Sequence, residues 1–266
     1  MYPRLFQFGH AAIPTYGVFT AIALIAALAV AMHFARRLDL NPEKIWNLGL
    51  LSILTALIGS RLLLITANFS IFRAHPLWVL GLTTVRNHWV FTGGVILGIA
   101  AALLYVLAEG LPLLRVLDCA SPALALALCI HGIGAFCAGL AYGVPASLPW
   151  GVTYNSRIAA LWYGTPLGIK LHPVQMYDAV ASLVIFLLLV WWLPRRRQDG
   201  ELAGAWFFLY GLCSFFLGFY RGDTSGREVL GGAFTSTQVF GALAVFIGGT
   251  LWLQRSYTSG NATNPD

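Results

Sequence analysis

The sequence predicts an all-α, polytopic membrane protein with seven transmembrane helices, its N-terminus outside and its C-terminus in the cytoplasm. Three observations predict it. Of the 266 residues 58% are hydrophobic and only 10% charged, and the mean hydropathy is +0.75; a water-soluble domain of that composition would lack the polar surface to cover itself. Several apolar runs reach the roughly 20 residues that a helix needs to cross a hydrocarbon core. Lysine and arginine gather mainly at the ends of those runs, which suits topology and lipid headgroups and not a nucleic-acid surface. One domain over 1–266 is the simplest organisation, and no nucleic acid is expected as a partner.

Residues 1–14 read as an outer interfacial arm carrying Phe6, Phe8 and His10. The first apolar run, 16–35, follows a tyrosine and proline arm instead of a basic region, so it is expected to stay in the membrane. Asn41-Pro42-Glu43 is a helix start, an N-cap type residue followed by a proline whose missing N–H costs nothing there. It opens span two, 45–66. Arg61 lies inside that span, where a guanidinium is costly unless it snorkels or meets an anion. The stretch 67–88 is interrupted by Pro76, Gly81 and Arg86 and is expected to lie at the interface without crossing.

Span three, 89–108, begins with Phe91-Thr92-Gly93-Gly94, and its paired glycines allow close backbone approach. Span four is expected over 118–143, opened by Ser121-Pro122, and it carries His131 and several small residues before ending in Tyr142-Gly143. The outer loop 144–171 holds Trp150, Tyr154, Arg157, Trp162, Tyr163 and Lys170, a composition that favours the headgroup layer. Span five, 172–193, opens with His172-Pro173-Val174-Gln175-Met176-Tyr177-Asp178 and ends before Arg195, Arg196 and Arg197. Spans six and seven cover 202–220 and 237–253. A flexible cytoplasmic tail is expected over 256–266.

An odd number of spans puts the termini on opposite sides. The basic clusters at Arg36, Arg37, Lys44 and at Arg195 to Arg197 then share one face, which the positive-inside rule assigns to the cytoplasm. The outer side receives the 144–171 loop, Arg221, Asp223 and Arg227. Residues three apart on a helix stay on one flank, so His172, Gln175 and Asp178 are expected to face one cavity, with Tyr177 turned away. Two or more arginines in a cavity open to the outer leaflet suit a phospholipid phosphate, because guanidinium and phosphate pair in a bidentate fork. Blander readings stand beside this one. Asp178 can simply neutralise Arg61 or an outer arginine, and His131 can sit neutral in a helix core. Gly132, Gly134, Gly139 and Gly143 can serve packing, although they also leave room for a lipid tail.

The four cysteines, Cys119, Cys129, Cys137 and Cys213, form no CxxC pair, so no disulfide framework is expected. Three of them share the central helix region with His131, yet no acidic or histidine partner sits at ligand spacing. Neither a metal nor another cofactor is expected.

With these residues assembled, the chain resembles the bacterial prolipoprotein diacylglyceryl transferase family over most of its length. The resemblance rests on Tyr16-Gly17, Gly59-Ser60-Arg61, Gly93-Gly94, Asp118, Ser121-Pro122, Gly134-x-Phe136 through Tyr142-Gly143, Tyr210-Gly211, Arg221 and Gln238. Its most specific piece is His172-Pro173-x-Gln175-x-Tyr177-Asp178. The resemblance implies an inner-membrane enzyme that moves the diacylglyceryl group of phosphatidylglycerol onto the cysteine thiol of a lipoprotein precursor's signal segment, releasing glycerol phosphate. It further implies phosphate contacts from Arg61 and Arg221, and Tyr16 and Tyr210 near the cavity. A monomer among membrane lipids is expected.

The chain departs from the family pattern at several places. Thr92 stands where the family has a histidine, Gly132 and Ala135 where it has an arginine and an asparagine, and Ser214 and Gly218 where it has an arginine and an acid. His131, beside the lost arginine, is the candidate replacement base, with His88 a second histidine at the outer end of span three. Two alternatives accompany the transferase. One is a catalytically degenerate paralogue that binds phospholipid or lipoprotein precursor. The other is a small-molecule transporter, for which the sequence shows no paired inverted repeats.

Overall fold

A backbone in hydrocarbon can satisfy its polar groups only internally, and long apolar runs do this as helices. In a computed structural model, which describes residues 2–8, 11–74, 88–223, 228–229 and 232–261, seven helices are long and apolar enough to cross a membrane. They are α1 (Thr15–Arg37), α2 (Pro42–Ala67), α4 (His88–Ala108), α5 (Leu113–Ala138), α7 (Val174–Trp192), α8 (Glu201–Leu217) and α9 (Ser236–Asn261); α3 (Phe69–Ala74) and α6 (Arg157–Tyr163) are short. Outward faces are apolar, with Leu107 75% and Phe246 70% exposed, which suits lipid and would be costly in water. The chain is a multi-pass membrane protein.

Several expectations change in detail. The fold is mostly helical instead of purely α, because among the described residues three antiparallel two-stranded ribbons pair backbone outside the helices. They are β1 (Arg4–Phe8) with β2 (Ala11–Pro14), β3 (Val152–Thr153) with β4 (Lys170–Leu171), and β5 (Glu228–Val229) with β6 (Phe234–Thr235). The expected outer arm is therefore a hairpin, tied down by Tyr2 N–H donating to Cys137 O at 3.2 Å and Thr15 N–H to Pro3 O at 3.0 Å. In the segment 67–88, α3 precedes residues 75–87, which with Pro76, Gly81 and Arg86 lie outside the described residues. So do His10, Arg227 and the side chain of His88. The tail expected from 256 begins as helix, since α9 continues to Asn261; residues 262–266 are outside the description.

The start and end expected for span four are corrected. Ser121-Pro122 lies inside α5 and does not open it. Ser121 Oγ donates to Leu117 O at 2.7 Å, one residue before the Asp118 carbonyl that Pro122 leaves without its helical N–H. At the other end Gly139 has φ +83°, and the N–H groups of Gly139 and Leu140 both donate to Ala135 O at 2.9 Å. This is a Schellman stop, which requires the left-handed conformation that glycine adopts without strain. Tyr142-Gly143 consequently lies beyond the helix.

The chain forms two compact units, Met32–Val116 and the combination of Met1–Ala31 with Leu117–Asp266. In the smaller unit Asn41 caps α2 by accepting from Glu43 N at 2.8 Å, as its sequence predicts. Helices α2 and α4 approach through small residues. A Cβ at Gly94 would lie 2.7 Å from both Ala56 O and Ser60 Cβ, and Ser52 Oγ donates to Gly98 O at 3.0 Å. Arg61 follows Ser60 on α2 and is partly exposed.

In the larger unit glycine again lets helices meet. Gly134 packs on the Phe19 side chain, joining α5 to α1, and Gly211 and Gly241 face each other between α8 and α9. The fully buried Asp118 accepts from Gly200 N at 2.7 Å and Ala203 N at 2.9 Å. It thereby caps α8, whose own N-cap residue is a glycine without a side chain.

Candidate functional site

Three chain segments cross just beyond the ends of α5 and α8. Gly143 pairs with Arg221 as an isolated antiparallel bridge, and Pro145 pairs with Leu171. Around the bridge, Val144 N–H donates to Tyr220 O at 2.9 Å, Gly222 N–H to Tyr142 O at 2.9 Å and His172 N–H to Val144 O at 3.0 Å. A side chain at Gly143 would run into the His172 carbonyl, and one at Gly222 would come within 2.6 Å of Gly143 O. Only glycine fits where two backbones approach from opposite sides. The crossing fixes the backbone of Arg221.

Arg221 is the hub of the polar residues in this unit. Its Nε donates to Asp223 Oδ1 at 3.0 Å and its Nη2 to Asp223 Oδ2 at 2.9 Å, a bidentate pair. Burial alone would lower the Arg221 pKa, but Asp223, helped by Asp178, holds it above the ordinary value and the guanidinium stays charged. Asp178 on α7 and Tyr210 on α8 are both within electrostatic range of Arg221, as is His131 on α5. His131 Nδ1 is 3.4 Å from Tyr16 OH, with the two rings edge to face at 5.3 Å. Tyr210 stacks on Trp206 with an interplanar angle of 2°. The structure thus brings together Tyr16, His131, Tyr142, Gly143, Asp178, Tyr210 and Arg221.

Two other predicted residues serve the frame. Gln175 Nε2 donates to Leu140 O at 2.7 Å and to Tyr154 OH at 3.0 Å, bracing the 144–171 loop against the end of α5. The His172 ring lies against Tyr220 at 5.1 Å and Tyr177 at 6.3 Å. His172, Gln175 and Asp178 therefore meet different partners. His172 precedes α7, so helical spacing does not govern it. Tyr154, expected in the headgroup belt, is buried instead, while Trp150 is exposed and donates to Tyr177 OH at 2.8 Å. Gly134 belongs to the α1–α5 contact. Arg61 is part of the other unit.

Sequence reasoning did not single out Asp223 as the partner of Arg221, although an acid two residues away was a local signal. It also missed Thr235-x-x-Gln238, a capping box ahead of an apolar run. Thr235 N–H donates to Gln238 Oε1 at 2.9 Å and Gln238 N–H to Thr235 Oγ1 at 3.4 Å. Two glycines on the site helices have their side-chain space already taken. A Cβ at Gly132 would lie 2.8 Å from Gln175 O and 3.0 Å from Ala179 Cβ, and one at Gly218 would lie 2.5 Å from Gln238 Cγ.

The sequence model of one family, prolipoprotein diacylglyceryl transferase, matches residues 3–254. The chain belongs to that family. A phosphatidylglycerol–prolipoprotein diacylglyceryl transferase of Clostridium tetani is 27% identical over 93% of this chain and 95% of its own length. One of Geobacter sulfurreducens is 28% identical, covering 94% and 93%, and one of Pseudoalteromonas translucida is 25% identical, covering 98% and 96%. Within the prolipoprotein diacylglyceryl transferase family the departures of this member gain a physical description. Where the resemblance predicts an arginine at 132, α7 backbone closes on α5. Where it predicts an acid at 218, the Gln238 side chain fills the place.

Proposed function

We propose that this member transfers the diacylglyceryl group of phosphatidylglycerol to the lipobox cysteine of a lipoprotein precursor, in the bacterial cytoplasmic membrane with its N-terminus outside. The observation that supports this reading is the convergence of His131, Asp178 and Tyr210, with Tyr16 against His131, on a charged, backbone-fixed Arg221 in a member of the transferase family. In the reaction the cysteine sulfur attacks the glyceryl carbon that carries the phosphate ester. A C–S bond forms, the C–O bond breaks, and glycerol phosphate leaves with the electron pair. The thiol proton must go to a base, because the thiolate is the nucleophile.

His131 takes that role in this reading. Nδ1–H directed at Tyr16 OH leaves the other ring nitrogen as acceptor. Arg221 spends two of its five N–H donors on Asp223 and keeps three for the leaving phosphate. Arg61 is proposed as a second phosphate contact on the resemblance alone. With phosphatidylglycerol vesicles and a lipobox peptide, the purified protein yields thioether-linked peptide, and His131→Ala lowers the yield by about 10²-fold or more. Equal yields remove His131 from the mechanism.

A second reading, a paralogue that binds phospholipid or precursor without reacting, is favoured by the filled spaces at Gly132 and Gly218. Complementation separates the two. In cells depleted of their own transferase, an active enzyme restores lipoprotein modification, whereas a binding paralogue co-purifies with lipid and restores nothing.

A further inference from the structure

The transfer chemistry leaves Asp178 without a task, although it stands on the inward flank of α7. Val174, Ser182, Ile185 and Leu189 share that flank at helical spacing and are 0 to 3% exposed. Asp178 itself is partly exposed and lies within electrostatic range of Arg221 and Tyr210. Its open surface therefore faces the cluster and not the lipid. Neither carboxylate oxygen is sealed off as Ser182 Oγ is, one turn further along the helix.

Arg221 does not neutralise this carboxylate. The guanidinium is bonded through two N–H groups to Asp223, its ion-pair partner among the described residues, and Asp178 makes no hydrogen bond or ion pair with a described residue. Two carboxylates thus attend one guanidinium. A carboxylate without a partner among membrane helices is costly, and a phosphate held by Arg221 adds a third negative group beside it. The charge pattern asks for a ligand whose anionic part reaches Arg221 and whose far end brings hydrogen-bond donors to Asp178. A headgroup with a donor beyond its phosphate has that chemistry, either as the hydroxyls of a glycerol or as the ammonium of an ethanolamine.

We propose that Asp178 is a specificity-determining residue, its carboxylate accepting hydrogen bonds from the donor group that the lipid headgroup carries beyond the phosphate held by Arg221. The inference rests on the reading of the Arg221 cluster as the phospholipid site and adds which part of the headgroup is read.

Two matched pairs of dihexanoyl lipids, titrated calorimetrically into the purified full chain in detergent, isolate the contact. Phosphatidylglycerol and phosphatidylpropanol carry the same charge and differ in the hydroxyls. Phosphatidylethanolamine and phosphatidylcholine are both zwitterionic and differ in the N–H donors. In at least one pair the donor-bearing lipid binds wild type about tenfold or more tighter, the ratio of a hydrogen bond to a charged group. A high ratio in the first pair identifies hydroxyls as the group read, and one in the second identifies the ammonium. Asp178→Asn, nearly the same size, keeps a neutral acceptor and reduces the ratio to about fivefold or less, and Asp178→Ala brings it to about one.

Each ratio is taken within one variant, so a loss of folded protein leaves it unchanged. Ratios near one for both pairs in wild type overturn the proposal, as does a preference that survives Asp178→Ala. The thioether assay answers separately. No product with the preference intact removes the enzymatic reading and leaves the contact at Asp178, whereas normal transfer with both ratios near one removes the contact alone.

Discussion

The α2–α4 pair and the α8–α9 pair are both joined through glycine, yet what opposes the glycine differs. Between α8 and α9 glycine faces backbone on both sides: a Cβ at Gly211 would lie 2.7 Å from Gly241 O, and one at Gly241 2.8 Å from Gly211 O. Between α2 and α4 some of the opposing atoms are the ends of side chains. A Cβ at Gly59 would meet Leu97 Cδ1 at 2.6 Å, and Leu97 can turn. Backbone cannot yield without moving a helix, whereas a leucine tip moves by changing rotamer. The stiffer contact, between α8 and α9, carries Tyr210 and leads into Arg221, so these two residues of the cluster stand on backbone-to-backbone packing. Substitutions can separate the two kinds of contact.

The largest effect is expected at the end of the stiff seam. Arg221→Ala removes the charged donor from the site and lowers thioether formation by about 10²–10³-fold; activity near wild type would take Arg221 out of the phosphate contact. Gly241→Ala, which forces the seam itself, costs about 1–3 kcal/mol of stability in detergent, read as a lowered unfolding midpoint together with reduced activity. In the other pair, Ser52→Ala removes the hydrogen bond to Gly98 O and costs about 0.6 kcal/mol, the mean for such bonds between membrane helices. Gly59→Ala is the smallest. A gain of up to ~1 kcal/mol in helix propensity offsets the displacement of Leu97, leaving stability within about 0.5 kcal/mol of wild type. Should Gly59→Ala destabilise as much as Gly241→Ala, the contrast between the two pairs fails.

The departures at Gly132 and Gly218 follow the same logic. An arginine placed at 132 would push on the carbonyl of Gln175, and Gln175 braces both Leu140 and Tyr154. Restoring the family residue by itself therefore disturbs the loop before it adds a cation. At 218 the obstacle is a side chain, but one held by the capping box of α9.

The seven spans were legible along the chain because hydropathy and length are local properties, and the Asn41-Pro42 start and the family motifs are local too. The end of α5 was misplaced because Gly139 sits within a run of apolar and small residues that hydropathy alone continues to Gly143. Asp118 was visible as a motif residue, but its role was not, since its bonds go to Gly200 and Ala203, more than 80 residues away. The sequence by itself determined the membrane class, the number of spans and the ionisable residues available for chemistry. The tertiary structure alone decided that Asp223 neutralises one edge of Arg221, that Gln175 braces the 144–171 loop while Asp178 lies within electrostatic range of Arg221, and that neighbours occupy the places of missing side chains. The reason is physical: insertion into lipid depends on the apolar content of each segment, whereas partnership of polar groups depends on which backbones come close enough to exclude everything but glycine.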